Sequence, residues 1–125
     1  MAIVVRLRQD NRTRSDYPGK WFAHAVNLGT VETDDVARII ERNCSMKRSD
    51  VLAVLSELGE VVRQQLVNSH RVRLAGIGSF MAGINGRPCD RPEDYNASHV
   101  TGLHICFKPE KELRLDGTDV VPLPP

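Results

Sequence analysis

Apolar runs near the start of the chain predict two β-strands. Residues 3–8 and 21–26 are rich in branched and aromatic side chains, and a Tyr-Pro-Gly segment at 17–19 lies between them. Because proline fixes φ and glycine permits a positive φ, this segment predicts a turn. The sequence therefore predicts an N-terminal β-hairpin, in which Trp21 and Phe22 are expected to form a small core rather than a platform for stacking bases.

Two amphipathic helices are predicted next. The first has Thr33 as its N-cap, with Asp34 and Asp35 beside the positive end of the helix dipole. The second is predicted over residues 49–68 and has an unusually wide apolar arc. The arc comprises Val51, Leu52, Val54, Leu55, Leu58, Val61, Val62 and Leu66. A lone helix in a chain of 125 residues rarely needs so much apolar surface, so two such faces meeting across a dimer axis is the economical explanation.

The second half of the chain returns to the two-residue period of strands. The alternating segment 71–74 leads into Gly-Ile-Gly-Ser-Phe at 76–80, where two closely spaced glycines predict a tight turn that another group approaches. Residues 81–106 have no helical period and predict a β-ribbon that runs out and back. Residues 107–114 predict the end of a strand and a short C-terminal helix with several cations, and residues 120–125 predict a frayed or extended tail. The fold class is α+β.

The composition is that of a soluble globular chain, with 41% hydrophobic and 26% charged residues. A length of 125 residues indicates one modest core that would gain from oligomerisation. Three cysteines are too few for a disulfide framework, which favours a reducing compartment. The first apolar run is too short for a signal peptide, and no stretch approaches about 18 apolar residues. The sequence therefore predicts a cytoplasmic protein.

Charge is distributed unevenly along the chain, although the net charge is only +1. Residues 1–29 carry five basic and two acidic residues, whereas residues 30–80 carry seven of each. The ribbon at 81–105 carries two basic and three acidic residues. A ribbon that binds DNA is expected to be basic, because phosphate contacts supply much of the affinity. This ribbon is not basic.

The order helix, longer helix, alternating strand, Gly-x-Gly-Ser-Phe, ribbon and Phe-Lys-Pro-x-Lys-x-Leu-Arg resembles the HU and integration host factor family of bacterial histone-like DNA-binding proteins. The leading hairpin resembles, more narrowly, the divergent HU-like branch of Bacteroidetes, which has an N-terminal strand extension. The resemblance implies an intertwined homodimer with two helices, a three-stranded sheet with an extended β-arm and a short C-terminal helix. It divides the chain into an extension (1–29), an HU-like domain (30–115) and a tail (116–125).

The resemblance also implies site residues, position by position. In the family, the glycine turn presents N–H groups and a hydroxyl to phosphates, cations after the last strand flank the DNA, and a proline of the arm wedges between base pairs. The implied DNA-binding residues are Gly76, Gly78, Ser79, Arg87, Pro88, Arg91, Pro92, Lys108, Lys111 and Arg114. The implied dimer core comprises Val54, Leu58, Val62, Ile77, Phe80 and Phe107.

The arm departs from the family pattern. HU-type arms carry an Arg-Asn-Pro-x-Thr-Gly tip, whereas the nearest string here lies at 85–92, and Asp90, Glu93 and Asp94 beside its prolines would repel phosphate. This departure favours backbone contact without deep insertion into the minor groove. For the glycine turn and the cationic segment, a purely structural turn and a solvated helix face remain the alternatives.

Other chemistry has little support. His99, His104 and Cys106 lack the closely spaced partner ligands of structural zinc sites, and no glycine-rich elbow or orienting acid accompanies them for nucleophilic catalysis. The glycine turn is not a dinucleotide fingerprint, because no third glycine and no helix follow it. The sequence therefore predicts no enzyme, cofactor, metal, small-molecule substrate or membrane partner.

Two functions remain open from the sequence. The first is a non-enzymatic, architectural protein of the nucleoid that contacts the backbone of double-stranded DNA as a homodimer. The alternative is an HU-like dimerisation module that has lost DNA bending and binds a protein or an envelope or polysaccharide component. The acidic arm and the added hairpin motivate the alternative, and a salt-dependent duplex titration separates the two.

Overall fold

The computed structural model of the protein describes residues 2–12, 14 and 16–123. The chain forms two compact units, one combining residues 1–32 with 115–125 and the other comprising residues 33–114. In chain order, the elements are β1 (Ala2–Gln9), β2 (Trp21–Ala25), α1 (Thr33–Asn43), α2 (Arg48–Val67), β3 (Val72–Leu74), β4 (Gly78–Gly86), β5 (Val100–Pro109) and β6 (Asp119–Pro122). Single turns of 3-10 helix lie at Pro92–Asp94, Ala97–His99 and Lys111–Leu113. The predicted α+β class is confirmed.

The first unit contains a three-stranded sheet in the order β2-β1-β6. β1 pairs antiparallel with β2, so that Gln9 lies opposite Trp21. β6 pairs in parallel with the other edge of β1, where Asp119 lies opposite Ala2. The C-terminal segment predicted as a frayed or extended tail is therefore part of this sheet, a pairing that the sequence did not predict.

Asp10 closes the connection between β1 and β2. It is buried, its N–H donates to the carbonyl oxygen of Lys20 (2.8 Å), and its own carbonyl oxygen accepts from Gly19 N–H (2.9 Å). Its carboxylate accepts a hydrogen bond from Nε of Arg12 at 3.1 Å. This hydrogen bond, together with the charge of the Asp10 carboxylate, raises the pKa of the Arg12 guanidinium above its ordinary value.

Trp21 and Phe22 do not form a core, and the prediction that they would was wrong. They are 62% and 41% exposed. In its described part, the first unit consists of strands and connecting segments, so no helix of this unit covers either face of the sheet. Two neighbouring aromatic residues of β2 therefore remain at the surface.

α1 begins at Thr33, which is its first residue rather than the predicted N-cap, and Asp34 and Asp35 lie in its first turn as the sequence predicts. Asp34 forms an ion pair with Arg38 one turn later (3.2 Å) and lies 3.8 Å from Arg48 at the start of α2. The two helices are therefore linked at their N-terminal ends by one carboxylate that faces two guanidinium groups.

α2 differs from its predicted bounds by one residue at each end. Most of its apolar arc is not covered by its own chain. In the described part of the chain, the buried apolar residues are Val51 and Leu66 on α2 and Ala37 on α1. Val54 and Val61 remain 56% and 39% exposed. The wide arc is thus only partly covered within this chain.

The second unit contains an antiparallel sheet in the order β3-β4-β5, and α2 packs against β3 and β4. β3 turns into β4 through Gly76, which has a φ of 80°. The N–H of Ile77 donates to the carbonyl oxygen of Leu74 (3.0 Å), so the glycine occupies the third position of a tight turn, where a positive φ is required in a type II turn.

The ribbon of β4 and β5 ends in a folded loop. The strands remain paired until Gly86 lies opposite Val100, after an irregularity between Asn85 and Gly86. Residues 87–99, here called the tip loop, join the two strands and contain two of the 3-10 turns. Part of the segment predicted to lack helical structure therefore coils into short helical turns.

The predicted short C-terminal helix is a single 3-10 turn, Lys111–Leu113, and the prediction of a helix was wrong. β5 persists to Pro109 because this residue still pairs with Gly78. The backbone is extended at both flanking residues, Glu110 and Arg114, which leaves space for one turn only.

Candidate nucleic-acid interface

The sheet of the second unit has two chemically different faces, because side chains alternate along each strand. The inner face contains Phe80 and Phe107, whose ring centroids lie 4.9 Å apart. It also contains Ala82 and Ile105, which line a groove with the end of α2. The opposite face, here called the outer face, carries Arg73, Ser79, Met81, Cys106 and Lys108. Cations and a hydroxyl on an unobstructed sheet make this face a candidate nucleic-acid interface.

Ser79 lies at the centre of the outer face. It is buried, and its Oγ accepts a hydrogen bond from Nη2 of Arg71 at 3.1 Å. Lys108 lies directly opposite Ser79 on β5. Arg71, Ser79 and Lys108 line a groove of about 280 Å³, together with Met81, Cys106 and Phe107. The hydroxyl predicted to meet phosphate thus orients a guanidinium, and two exposed cations flank it.

Arg73 adds a third cation to this face. Its Nε forms an ion pair with Oε1 of Glu110. The side chains of the two residues are 63% and 24% exposed. An ion pair at such a surface contributes only about 0–1 kcal/mol, so its guanidinium can exchange this partner for a phosphate.

The two predicted glycines serve different physical purposes. Gly76 has a positive φ and open space around the position of a side chain. Gly78 is buried, and a Cβ there would lie 2.5 Å from the carbonyl oxygen of Lys108 and 2.7 Å from the ring of Phe107. Gly78 is therefore needed for the close approach of β4 and β5. Contact of either glycine with phosphate stays a prediction.

Lys111 and Arg114 lie beyond the end of β5, in and directly after the 3-10 turn. The N–H of Arg114 donates to the carbonyl oxygen of Lys111 at 3.2 Å. Both side chains are exposed. The structure thus places them next to the outer face along the chain, without including them in its ladder.

The four predicted arm residues lie in the tip loop. Arg87 donates from Nη2 to the carbonyl oxygen of Ser98 (3.0 Å), and its N–H donates to the carbonyl oxygen of His99 (2.7 Å). Pro92 opens the first 3-10 turn of the loop, which also contains Glu93 and Asp94. Arg91 immediately precedes this turn, and Pro88 lies before it in the irregular part of the loop.

The predicted dimer-core residues are incompletely covered. None of the six is buried: Leu58, Val62 and Phe80 are half-buried, whereas Val54, Ile77 and Phe107 are 56%, 43% and 45% exposed. The inner face continues with Ile84, Leu103 and Ile105, which are 65%, 74% and 63% exposed. The arc of α2 and the inner face of the sheet are therefore apolar surfaces that the chain itself leaves open.

Arg71 and Arg73 belong to the candidate interface but were not among the predicted site residues. A signal for them existed, because the alternation in residues 71–74 puts both arginines on one face of a strand. The hydrogen bond from Arg71 to Ser79 depends on how β3 pairs with β4, which the alternation alone does not specify.

His104 and Cys106 share one face of β5, as their spacing predicts. Across residues 2–12, 14 and 16–123, no three His, Cys, Asp or Glu side chains form a cluster that could hold a metal ion. No helix in the same described ranges is long and apolar enough to cross a membrane.

The chain is similar to known HU-like proteins in sequence and in fold. Residues 1–119 match the HU-HIG family, described as an HU domain fused to wHTH, Ig, or Glycine-rich motif. The chain therefore belongs to the HU-HIG family, which confirms the HU-like family predicted from its motifs. No curated protein matches the sequence.

Two solved structures share the fold. A protein from Bacteroides vulgatus ATCC 8482, named as a candidate bacterial DNA-binding protein, is 16% identical with a TM-score of 0.67, over 99% of this chain and 50% of its own length. HU from Anabaena, in a cocrystal with DNA, is 18% identical with a TM-score of 0.52, over 67% of this chain and 94% of its own. The chain thus spans half the length of the Bacteroides protein.

Proposed function

We propose that this protein is a non-enzymatic, architectural DNA-binding protein that contacts the phosphate backbone of double-stranded DNA as a homodimer in the nucleoid. The observation that carries the proposal is the outer face, where Arg71 and Lys108 flank the buried hydroxyl of Ser79. Membership of the HU-HIG family and the fold shared with HU support it. The proposed activity needs no cofactor or metal.

The chemistry of the outer face favours phosphate over base edges. Arginine and lysine on a sheet surface meet the negatively charged backbone, and such contacts position DNA without reading its sequence. Arg73 adds a guanidinium held by an exposed ion pair with Glu110. Because the net charge of the chain is only +1, attraction to DNA must come from this local concentration of cations.

The homodimer follows from the open apolar surfaces. The arc of α2 and the inner face expose large side chains, among them Val54 and Phe107 at 56% and 45%. Contiguous exposed apolar surface marks an interaction site in a soluble protein. A second copy presents the same surface, and obligate dimer interfaces of this kind bury about 2,000 Å² or more. Sedimentation at micromolar concentration should show a dimer, and a stable folded monomer would reject the proposed homodimer.

Within this proposal, the cations among the predicted site residues contact phosphate, whereas the prolines of the arm have no direct role in binding. Lys108, Lys111 and Arg114, doubled by the dimer, give several phosphate contacts, and Arg71 joins them on the outer face. The prolines of the tip loop do not wedge between base pairs in this mechanism, because Glu93 and Asp94 share the 3-10 turn that Pro92 opens.

The proposal is tested by a salt titration with a labelled 30-base-pair duplex. The wild-type slope of log K against log salt is expected at roughly −3 to −5, given about −0.9 per neutralised phosphate. Arg71→Gln and Lys108→Gln should each lower affinity equally on unrelated sequences and flatten the slope by about one for each phosphate that is no longer neutralised. Arg42→Gln removes the same charge from the exposed last turn of α1 and should change neither quantity.

Two results of the salt titration would contradict the proposed function. Affinity that does not respond to salt, or no binding at low salt, would reject backbone contact. The alternative of a dimerisation module that binds a protein or an envelope component would then replace it. An equal effect of Arg42→Gln would show that the charge of the whole chain, rather than the outer face, attracts DNA.

A further inference from the structure

The sheet of the first unit has a face of cations and one aromatic ring that the proposed function does not use. Arg6 lies opposite His24, and Arg8 lies opposite Phe22, across the β1–β2 ladder. Residues paired in a ladder project to the same side, and residues two apart along a strand do so as well. Arg6, Arg8, Phe22 and His24 therefore share one face, here called the N-terminal basic face.

The side chains of this face are available to a ligand. All four residues are exposed, Phe22 by 41%. Within the described ranges, Arg6 and Arg8 form no ion pair with a carboxylate. Asp119 lies on the same side of the sheet but opposite Ala2, four residues along β1 from Arg6 and about 13 Å away at the rise of a strand.

The basic face continues into the connection between β1 and β2. Arg8, Arg12, Phe22 and His24 line a groove of about 600 Å³, together with Gln9, Asp10, Asn11 and Ala23. An adjoining hollow of about 550 Å³ is lined by Arg12, Arg14, Asp16, Tyr17 and Phe22. Asp10, the carboxylate in the larger groove, already accepts two hydrogen bonds from the Arg12 guanidinium, which is itself largely exposed. The groove thus keeps a surplus of positive charge.

The aromatic rings of Tyr17 and Phe22 lie next to these cations. The ring centroids of Tyr17 and Phe22 lie 6.1 Å apart in an edge-to-face arrangement. Both rings remain open to solvent, at 61% and 41% exposure. An exposed aromatic face beside arginines matches what single strands require, because unpaired bases stack on rings while cations hold the phosphates. In a duplex, the base faces are already stacked and cannot use such rings.

We propose that the N-terminal basic face binds single-stranded nucleic acid. Arg6 and Arg8 contact successive phosphates, and Phe22 stacks with a base, with Tyr17 extending the aromatic surface. The proposal does not rest on duplex binding by the outer face, because it uses none of the residues of that face.

The test compares two neighbouring aromatic residues on opposite sides of β2. Binding of a labelled 20-nucleotide single strand is measured at low salt for the wild type, Phe22→Leu and Trp21→Leu, with a 20-base-pair duplex in parallel. Phe22→Leu should weaken single-strand binding about tenfold, the size expected when one base loses its stacking partner. Trp21→Leu removes a larger ring from the other face and should leave binding within about twofold. Duplex binding should change little in both.

The charges are tested separately. Arg6→Gln with Arg8→Gln should flatten the single-strand salt slope by about 0.7 for each phosphate that is no longer neutralised. Arg42→Gln, which removes one charge from α1, should leave the slope unchanged. Far-ultraviolet circular dichroism that matches the wild type shows that the strands are intact in the Phe22 and arginine variants.

The remaining outcomes either overturn this inference or separate it from the proposed function. No single-strand binding by the wild type rejects it, as do equal losses of affinity in Phe22→Leu and Trp21→Leu. If the arginine variants weaken only duplex binding, the face belongs to the duplex surface instead. If single-strand binding behaves as expected while the duplex does not bind at all, the proposed function fails and this inference stands.

Discussion

The outer face and the tip loop are parts of the same antiparallel ribbon, yet they differ in which groups surround their cations. On the outer face, the Arg71 guanidinium lies over Ser79, and Lys108 faces solvent beside it. In the tip loop, the Arg87 guanidinium donates to a main-chain carbonyl of its own loop, that of Ser98. The capacity of a segment to attract phosphate thus depends on what already binds its cations, as well as on their number.

The tip loop also satisfies its own polar groups. Oδ1 of Asn96 accepts from the N–H of Ser98 (2.9 Å), and the N–H of Asn96 donates to Nδ1 of His99 (3.1 Å). The rings of Tyr95 and His99 stack with centroids 5.9 Å apart. A loop that is hydrogen-bonded internally in this way needs no DNA to complete it. On the outer face, Arg71 donates to the Ser79 hydroxyl and Arg73 pairs with Glu110, whereas the exposed Lys108 takes part in none of the ion pairs found among the described residues. The following variants test this contrast.

The largest effect is expected when the two copies of the proposed dimer are separated. Val62→Lys places a charge in the half-buried arc of α2 and should convert the dimer to monomer or unfolded chain. Duplex affinity should fall about tenfold or more, because a monomer offers only half of the cations that meet phosphate. Gln64→Lys adds the same charge at an exposed position of α2, one turn after Glu60, and should preserve the dimer in sedimentation. A dimeric Val62→Lys protein would show that α2 is not the interface.

A smaller effect should follow when β4 and β5 are forced apart at Gly78. Gly78→Ala would bring a methyl group against the Lys108 carbonyl oxygen and the Phe107 ring. The free energy of unfolding should fall by about 1–3 kcal/mol, as overpacking generally costs. Gly102→Ala, on the same ribbon, meets only the Asn85 amide at 3.8 Å and should change stability by no more than about 0.5 kcal/mol. Urea denaturation measures both, and equal effects would contradict the proposed close approach.

Neutralising the acidic side chains of the tip loop should raise duplex affinity, whereas separating the proposed dimer should lower it. Asp90→Asn, Glu93→Gln and Asp94→Asn together remove three exposed negative charges. Duplex affinity at low salt should rise about threefold to tenfold, and the gain should disappear at high salt as screening increases. Anisotropy titrations at two salt concentrations measure this gain. Unchanged affinity at low salt would mean that the loop stays far from the DNA.

The smallest effect is expected at the prolines. Pro88→Ala and Pro92→Ala should change neither DNA bending nor affinity by more than about twofold, because a wedge that sets the kink must enter the base stack and the acidic residues oppose this. Energy transfer across a doubly labelled duplex reports the bend. Strong bending by the wild type that either substitution abolishes would show that the tip loop inserts into DNA.

The helices could be predicted from the sequence almost to the residue, because their signals are local. Thr33, with acids after it, indicated the start of α1, and the apolar arc located α2 within one residue at each end. The glycine turn could also be predicted, since glycine readily adopts the positive φ that Gly76 has in this turn. These features depend on neighbours within a few positions of the chain.

The features that the sequence did not reveal depend on pairing between distant segments. β6 exists because it joins β1, whose residues lie more than a hundred positions earlier. Arg71 belongs to the interface because the pairing of β3 with β4 brings Ser79 beneath its guanidinium. Trp21 and Phe22 were predicted to form a core because aromatic residues in a hairpin are usually packed against another element. Among the described residues, no helix of its own unit packs against this sheet.

The parallel pairing of β6 with β1 has a consequence for the order in which the chain is synthesised. β1 is synthesised before the whole of the second unit, and the strand that completes its sheet, Asp119–Pro122, is synthesised after that unit. At about 5–20 residues per second, β1 spends several seconds with one edge unpaired while the second unit, which lies between β1 and β6 in the chain, is made. An unpaired edge is a template for another strand, including the same strand of a neighbouring nascent chain. Translation speed and chaperone access therefore bear on the first unit more than on the second, which is continuous in the chain and can fold as soon as Arg114 has emerged.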